Sequence, residues 1–332
     1  MQRFAMLAVA LVLLAGCARA DTPQELLTQA QTPWRETISA YGREIVVDVT
    51  AQMPDVEQVN VYRVCTVEAE GDEGEAPVYP QVQKRRGYAV RCKPEEAIPV
   101  AQIDREMYAY GCPVSAGEAL DTVNAFLHGL GAQGVTLDVQ AMTVRSPRYL
   151  FDKRTGEWGA QVDESETGVY EFDVACTLYG VPVELSPFAW RDSRNANFGA
   201  PEPVLPWYNL FMSVGGTYRW LRARVPSVVE IAARDVELCP LSDVQAQLRA
   251  LAQEGLLWDV ACMRLAYVSF GYAQEQEICE LRPVWVCTSE IYYDETSGPE
   301  DTFYEPWMED VLIDAQTGEV IELRWASDAQ RE

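Results

Sequence analysis

The sequence predicts an α+β protein in which helices pack against antiparallel meanders, and three observations carry that reading. Each helix-start signal is followed by several strand-like runs, not by the regular strand–helix alternation of a parallel sheet. Two helix-plus-strand stretches share the same landmarks in the same order. The pattern Asp-x-x-Thr-Gly-Glu occurs at 152–157 and again at 314–319, where aspartate caps a turn and glycine supplies a left-handed residue, so both read as hairpin tips.

The first helix opens at Thr22, with Pro23 in its first turn and Glu25 placed to complete a capping box. Leu26, Leu27, Ala30, Trp34, Ile38 and Tyr41 follow at helical spacing, which predicts that the helix runs as far as Tyr41. Two further starts are each preceded by Cys-Pro: Cys112-Pro113 leads to Ser115 with Glu118, and Cys239-Pro240 leads to Ser242 with Gln245. Each serine is expected to cap its helix and its N3 partner to return the bond. Leu120, Val123, Leu127 and Leu130 line the first of these helices, and Val244, Leu248 and Leu251 the second.

Asp138-Val139-Gln140-Ala141-Met142 then matches Asp259-Val260-Ala261-Cys262-Met263, and Val174-Ala175-Cys176-Thr177 matches Trp285-Val286-Cys287-Thr288. This order predicts one helix-plus-antiparallel-meander unit used twice, in two packed subdomains. A third, weaker copy starts at the first helix. Between the two clear units, 187–206 holds Pro187, Pro201, Pro203 and Pro206 and reads as a linker. The expected regions are therefore 22–186 and 207–332. Beyond the linker, Gly215-Gly216 predicts a two-residue hairpin turn with positive φ.

Charge narrows the partners. The chain has 26 Lys and Arg against 51 Asp and Glu, a net of −25, which disfavours nucleic acid and any basic membrane-binding face. A solvated, self-repelling surface is the simple reading; weak binding of a cation such as calcium, or of a basic partner, is the sharper one.

The N-terminus reads as an export signal. Arg3 precedes an apolar run at 4–14, too short to span a bilayer, and Leu14-Ala15-Gly16-Cys17 matches a lipobox. Residues 1–16 are expected to be a cleaved lipoprotein signal peptide. Cys17 then carries diacylglycerol and palmitate, and 17–21 holds the lipidated cysteine and a short tether, placing the protein on the extracytoplasmic face of the cell membrane. Asp259 and Arg264 interrupt the apolar run at 256–270, which reads as a buried strand and not as a second span.

Eight cysteines remain after Cys17, an even number that permits disulfides in many pairings. Cys65, Cys176 and Cys287 sit in strand-like runs and equally suit free buried thiols. There is no Cys-x-x-Cys.

The motifs of common chemistries are missing. His128 is the only histidine and reads as exposed on its helix, with no Gly-x-Ser-x-Gly, His-Glu-x-x-His or phosphate-cradling loop to support it. No catalytic residue, metal or cofactor is implied. The densest mixture of aromatics and acids lies at 292–310, and Tyr292, Tyr293, Asp294, Phe303, Tyr304 and Trp307 are its candidate ligand-binding residues. Glu68, Glu70, Asp72, Glu73 and Glu75 form a second acidic patch without the spacing of a calcium loop.

The run from Trp307 through Asp314-Ala315-Gln316-Thr317-Gly318-Glu319 resembles the closing hairpin of PepSY-like domains and of YycH/YycI-type extracytoplasmic regulators. Arg282-Pro283-Val284-Trp285 is similar to their incoming strand. With the lipobox, the chain resembles uncharacterised lipoproteins of Gram-positive bacteria (Firmicutes). The resemblance implies a PepSY-like or cystatin-like unit and a binding or regulatory module that performs no reaction. Those regulators are held by a transmembrane helix, whereas lipid is expected here.

The expectation is thus a membrane-anchored, non-catalytic binding or regulatory module for an envelope protein or peptide. The alternatives are an envelope glycan hydrolase using paired carboxylates and a structural envelope spacer.

Overall fold

The computed structural model describes residues 21–40, 42–71, 88–91, 93, 96–152, 154–162, 166–185, 208–216, 219–254, 257, 259–273, 278–291 and 307–324. The fold is α+β and dominated by antiparallel strands.

The first helix, α1 (Pro23–Ala30), has the expected capping box at Thr22 and Glu25. It ends eleven residues short of Tyr41, because Pro33 forbids its continuation and the next segment is β1 (Trp34–Ala40). Trp34 and Ile38 still share a buried face. A separation of four residues keeps side chains on one side of a strand as well as of a helix, so the apolar pattern alone could not distinguish the two. β1 pairs along its whole length with β2 (Arg43–Val49). Helix α2 (Ala116–Gly129) carries the second capping box, Ser115 with Glu118, as expected.

The third cap is a correction. Helix α3 (Leu241–Gln253) has its N-cap at Pro240 and not at Ser242, and no side chain of its own caps it. Gln29 of α1 takes that role from outside: its Oε1 accepts the Leu241 N–H at 3.4 Å.

The main sheet has eleven strands. Its centre is β3 (Val61–Glu70), which pairs with β14 (Ile278–Ile291) on one edge and β12 (Arg219–Ala233) on the other. From β12 the sheet continues through β11 (Asn209–Gly215), β9 (Val169–Leu178) and β6 (Val135–Arg145) to β5 (Ala97–Pro99), and β10 (Val181–Pro182) folds back on β9. On the other side, β14 pairs with β13 (Cys262–Ala273) and β15 (Trp307–Asp314), and β15 with β16 (Val320–Arg324). The regions on either side of 187–206 therefore share one sheet. A separate three-stranded sheet joins β4 (Tyr88–Arg91), β7 (Tyr149–Asp152) and β8 (Glu157–Gln161).

Both Asp-x-x-Thr-Gly-Glu segments are hairpin tips with the same chemistry. Gly156 and Gly318 have φ of 73° and 74°, and their N–H groups donate to the Asp152 and Asp314 carbonyls at 2.8 Å. The aspartate Oδ1 atoms accept the N–H of Arg154 at 2.9 Å and of Gln316 at 2.8 Å. Gly215-Gly216 departs from its expected turn. Val214 pairs with Arg219, so the connection is four residues long, and neither glycine has positive φ. Gly216 is required for contact instead: a Cβ there would lie 2.6 Å from Pro113 Cδ.

The helices cover one face of the sheet. Leu221 and Ala223 of β12 belong to the core under α2, and Val225, on the same face, belongs to the larger core that includes α1, α3 and the β1–β2 hairpin. β14 is buried on both sides: Trp285 and Cys287 face the larger core, while Val284 and Val286 pack with Ala266, Val268 and Leu312 opposite. Two short segments close the outer edge of β13. Gln52 exchanges backbone bonds with Met263 and Leu265, and Glu184 N–H donates to the Tyr267 carbonyl. Arg264 holds the second segment: its Nη2 donates to both Glu184 carboxylate oxygens, at 3.0 and 2.8 Å.

Cys65, Cys112, Cys176, Cys239, Cys262 and Cys279 are free thiols, and Cys112, Cys176, Cys239, Cys279 and Cys287 are buried. Burial pushes the thiols of Cys112 and Cys279 up and those of Cys176 and Cys239 up to about 12, so these four stay protonated and unreactive at neutral pH. No helix among the described residues is long and apolar enough to cross a membrane.

Glu36 fastens the β1–β2 hairpin to α3. Its carboxylate accepts Arg249 Nε at 2.8 Å, Arg249 Nη2 at 2.6 Å and Trp34 Nε1 at 2.9 Å. These bonds hold its pKa at about 2, below the ordinary 4.5. A depressed carboxylate stabilises the fold fully above its unfolded pKa and loses that effect as pH falls through its folded one. The Arg249 and Glu36 side chains are 36% and 31% exposed, so solvent screening limits the gain. Glu36→Gln is expected to lower the unfolding free energy by about 1 kcal/mol at neutral pH. In urea titrations across pH, the gap from the parent protein should close between 4.5 and about 2.

Candidate functional site

The strongest candidate is an aromatic surface at the end of the sheet where β6 stops and β9 and β12 start. The loop that leads into α2 crosses this end and turns back on the helix. Met107 N–H donates to Asp104 O at 3.1 Å, and the N–H groups of Ala116 and Gly117 donate to Met107 O and Arg105 O, both at 2.9 Å. Two amides of the first helical turn are thus satisfied by the loop. Arg105 Nη2 reaches Asp121 Oδ2 at 2.7 Å and clamps the loop to the helix surface.

Beneath the loop sits the Tyr170 hydroxyl of β9, whose ring is fully buried. It accepts the Ala109 N–H at 2.7 Å and lies 3.0 Å from Val114 O and 3.3 Å from Met107 O. Burial pushes this hydroxyl up, so it stays protonated and can donate to one of the carbonyls. Gly168 N–H donates to Tyr110 O at 2.7 Å, and a Cβ on Gly168 would lie 2.9 Å from Arg145 O, so only glycine allows that approach. Gly111, at φ 64°, makes the last turn before Cys112.

With Ala109 held down, its two neighbours point outward. Tyr108 is 59% exposed and Tyr110 65% exposed. Large aromatic side chains so exposed on a fixed backbone offer contact area at little cost in conformational entropy.

The hairpin of β7 and β8 leaves from the same end. Arg148 and Glu166 close its base: Arg148 N–H and Nε donate to the Glu166 carboxylate at 3.0 and 2.7 Å, and Gln161 Nε2 donates to Glu166 O at 2.9 Å. On the hairpin, Trp158 packs against Phe151 with centroids 4.9 Å apart and edge-on against Tyr149 at 6.5 Å. Trp158 remains 36% exposed. Lys93 Nζ stands 4.5 Å from the centre of the Tyr149 ring, a cation–π contact. The loop thus carries two exposed tyrosines, and the hairpin that leaves from the same end carries an exposed tryptophan and a cation.

The described residues contain no group of three or more metal-ligating side chains. Among the described carboxylates, the three displaced from their usual pKa, Glu36, Glu118 and Asp152, all move down, through Arg249, through Ser115 and through the Arg154 amide. Each holds structure in place, and the direction is opposite to that of a general acid. His128 lies exposed on α2.

Cys17, Tyr292, Tyr293, Asp294, Phe303 and Tyr304 lie outside the described residues. Trp307 opens β15, its backbone opposite Ile291. Glu68 and Glu70 of the acidic patch form ion pairs with Arg224 and Arg222. The sequence reading passed over Tyr108 and Tyr110. Their signal was available: two tyrosines alternating with a small residue, directly before Gly111-Cys112-Pro113 and a capping box.

No family model matches the chain, and no curated protein matches it. Among solved structures, the chain is similar to an uncharacterised protein from Eubacterium rectale, at 12% identity and a TM-score of 0.46, over 92% of this chain and 99% of that one.

Removing the Tyr170 hydroxyl tests the support of the loop. Tyr170→Phe leaves the Ala109 N–H without its acceptor and is expected to cost about 1–3 kcal/mol of stability. Hydrogen exchange should show the Ala109 amide losing protection while amides of the β13–β14 pair keep theirs.

Proposed function

We propose that this chain is a lipoprotein, anchored through Cys17 on the extracytoplasmic face of the cell membrane, that acts as a non-catalytic binding or regulatory module for an envelope protein or peptide. The observation that carries this reading is the pair of exposed tyrosines, Tyr108 and Tyr110, on a loop fixed from below by the Tyr170 hydroxyl. Rigid, exposed aromatics are the side chains that dominate binding surfaces, since little freedom is lost when a partner covers them. The lipobox at 14–17 supports the location, and an acidic surface of net charge −25 supports a soluble body that binds through a local patch.

The reading takes the fold as two helix-plus-antiparallel-meander units of PepSY-like or cystatin-like kind, one headed by α2 and one by α3, packed as subdomains. Both helices follow Cys-Pro, and both units end in an Asp-x-x-Thr-Gly-Glu hairpin or contain one. Their strand registers differ: Met142 pairs with Phe172, whereas Met263 pairs with Cys287. A duplication would therefore have slipped in register since the copies parted.

A photo-crosslinking residue placed at Tyr110 in living cells tests the function. A discrete adduct with an envelope protein or peptide is expected at that position and none at Val46, which is exposed on β2 away from the loop. Tyr108→Ala should weaken the same partner's binding by about 1–2 kcal/mol without shifting the unfolding midpoint. Absence of an adduct at 110, or the same products at both positions, contradicts the reading.

A further inference from the structure

We propose that the surface around Asp21 lies against the outer leaflet, with phospholipid headgroups as its partner and the part of the sheet that bears Asp173, Phe211 and Arg222 on its outer face turned away; this rests on acylation of Cys17. Four peptide units separate Cys17 from Asp21, and an extended chain advances at most about 3.6 Å per residue, so Asp21 stays within about 14 Å of the acylated cysteine.

Asp21 is not a loose end of the body. Its N–H donates to Leu238 O at 2.8 Å, and its Oδ2 accepts Gln29 Nε2 at 2.7 Å. The same Gln29 caps α3 at Leu241, so one side chain joins the tether point, α1 and α3. Next to Leu238, the Cys239 N–H donates to Ala315 O at 2.7 Å. A Cβ on Gly318 would lie 3.6 Å from Cys239 Sγ and 3.8 Å from Asp243 Cβ, so the tip between β15 and β16 packs on the start of α3. The tether therefore meets one rigid surface made from the starts of α1 and α3 and from that hairpin tip.

The chemistry of this surface suits contact without insertion. Thr22, Ser242, Gln316 and Thr317 are exposed there, beside Asp21, Glu25 and Asp243. A polar, acidic surface has no apolar face to bury among acyl chains, so the lipid on Cys17 supplies the attachment and the protein rests at headgroup level. The helices lie on the same side of the sheet as this surface. On the opposite side, residues that alternate with the core members Phe172, Met212 and Leu221 face outward, among them Asp173, Phe211 and Arg222. The fifteen residues of β12 add about 45 Å between its two ends, which sets the loop end of the sheet far from the tether point.

Energy transfer tests the orientation. The full acylated protein is placed in phosphatidylcholine vesicles that carry a short-range acceptor on their headgroups. A fluorescent amino acid serves as donor at Thr317 or at Asp173, both exposed positions. Transfer from 317 should exceed transfer from 173 severalfold, and a long Gly/Ser insertion between Ala18 and Arg19 should abolish the difference. Equal transfer, or greater transfer from 173, in protein whose acyl mass is confirmed overturns the orientation alone. Absence of the acyl mass removes the anchor and the orientation together.

Discussion

Strand β3 is the element on which the rest of the structure depends. One of its edges carries the pairing of Tyr62 through Cys65 with β14, and the other pairs from Val61 to Glu70 with β12. Without it, the parts of the main sheet built on β14 and on β12 would be left bridged, among the described residues, by the short contact of Val183 and Glu184 with Tyr267. Each part would then expose a strand edge and half of an apolar face. Tyr62 and Val64 also place β3 in the larger core, together with residues of α1, α3, the β1–β2 hairpin and the last strands. A strand that comes early in the chain is therefore the seam between elements that come late.

That seam explains how a mostly antiparallel protein can hold an exposed aromatic loop in place at one end. The loop with Tyr108 and Tyr110 is short of regular structure, yet its polar groups are satisfied by α2, by Gly168 and by the Tyr170 hydroxyl. Each of those partners is fixed by the sheet. The tyrosines owe their placement to the packing of β9 and β12, and β12 owes its own to β3. The outer edge of β13 is closed in the same manner, by segments whose position is set elsewhere in the fold and by the Arg264–Glu184 pair.

Local chemistry was legible in the sequence wherever a few neighbouring residues decide the outcome. The capping boxes at Thr22 and Ser115 need only a hydroxyl and a glutamate three residues on, and both formed. The two hairpin tips need only aspartate, threonine and glycine at fixed offsets, and both formed with the same bonds. The α+β class followed from that grammar. Features decided across space were not legible. Trp34 and Ile38 satisfy helical and extended spacing alike, and Pro33 settles the matter. The Ser242 cap lost to a glutamine more than two hundred residues away. Gly216 is needed for contact with Pro113 and not for a turn. The tyrosine pair stayed hidden because its significance lies in the buried hydroxyl beneath it.

On this account β3 joins both sides of the sheet into one cooperative unit that holds the loop of Tyr108 and Tyr110 in place. Urea unfolding followed at two fluorinated tryptophans tests it directly, one at Trp220 beside β11 and one at Trp285 in β14. One shared midpoint at both positions is the result the account predicts. Two separate transitions, with Trp220 and Trp285 losing their native signals at different urea concentrations, would contradict it.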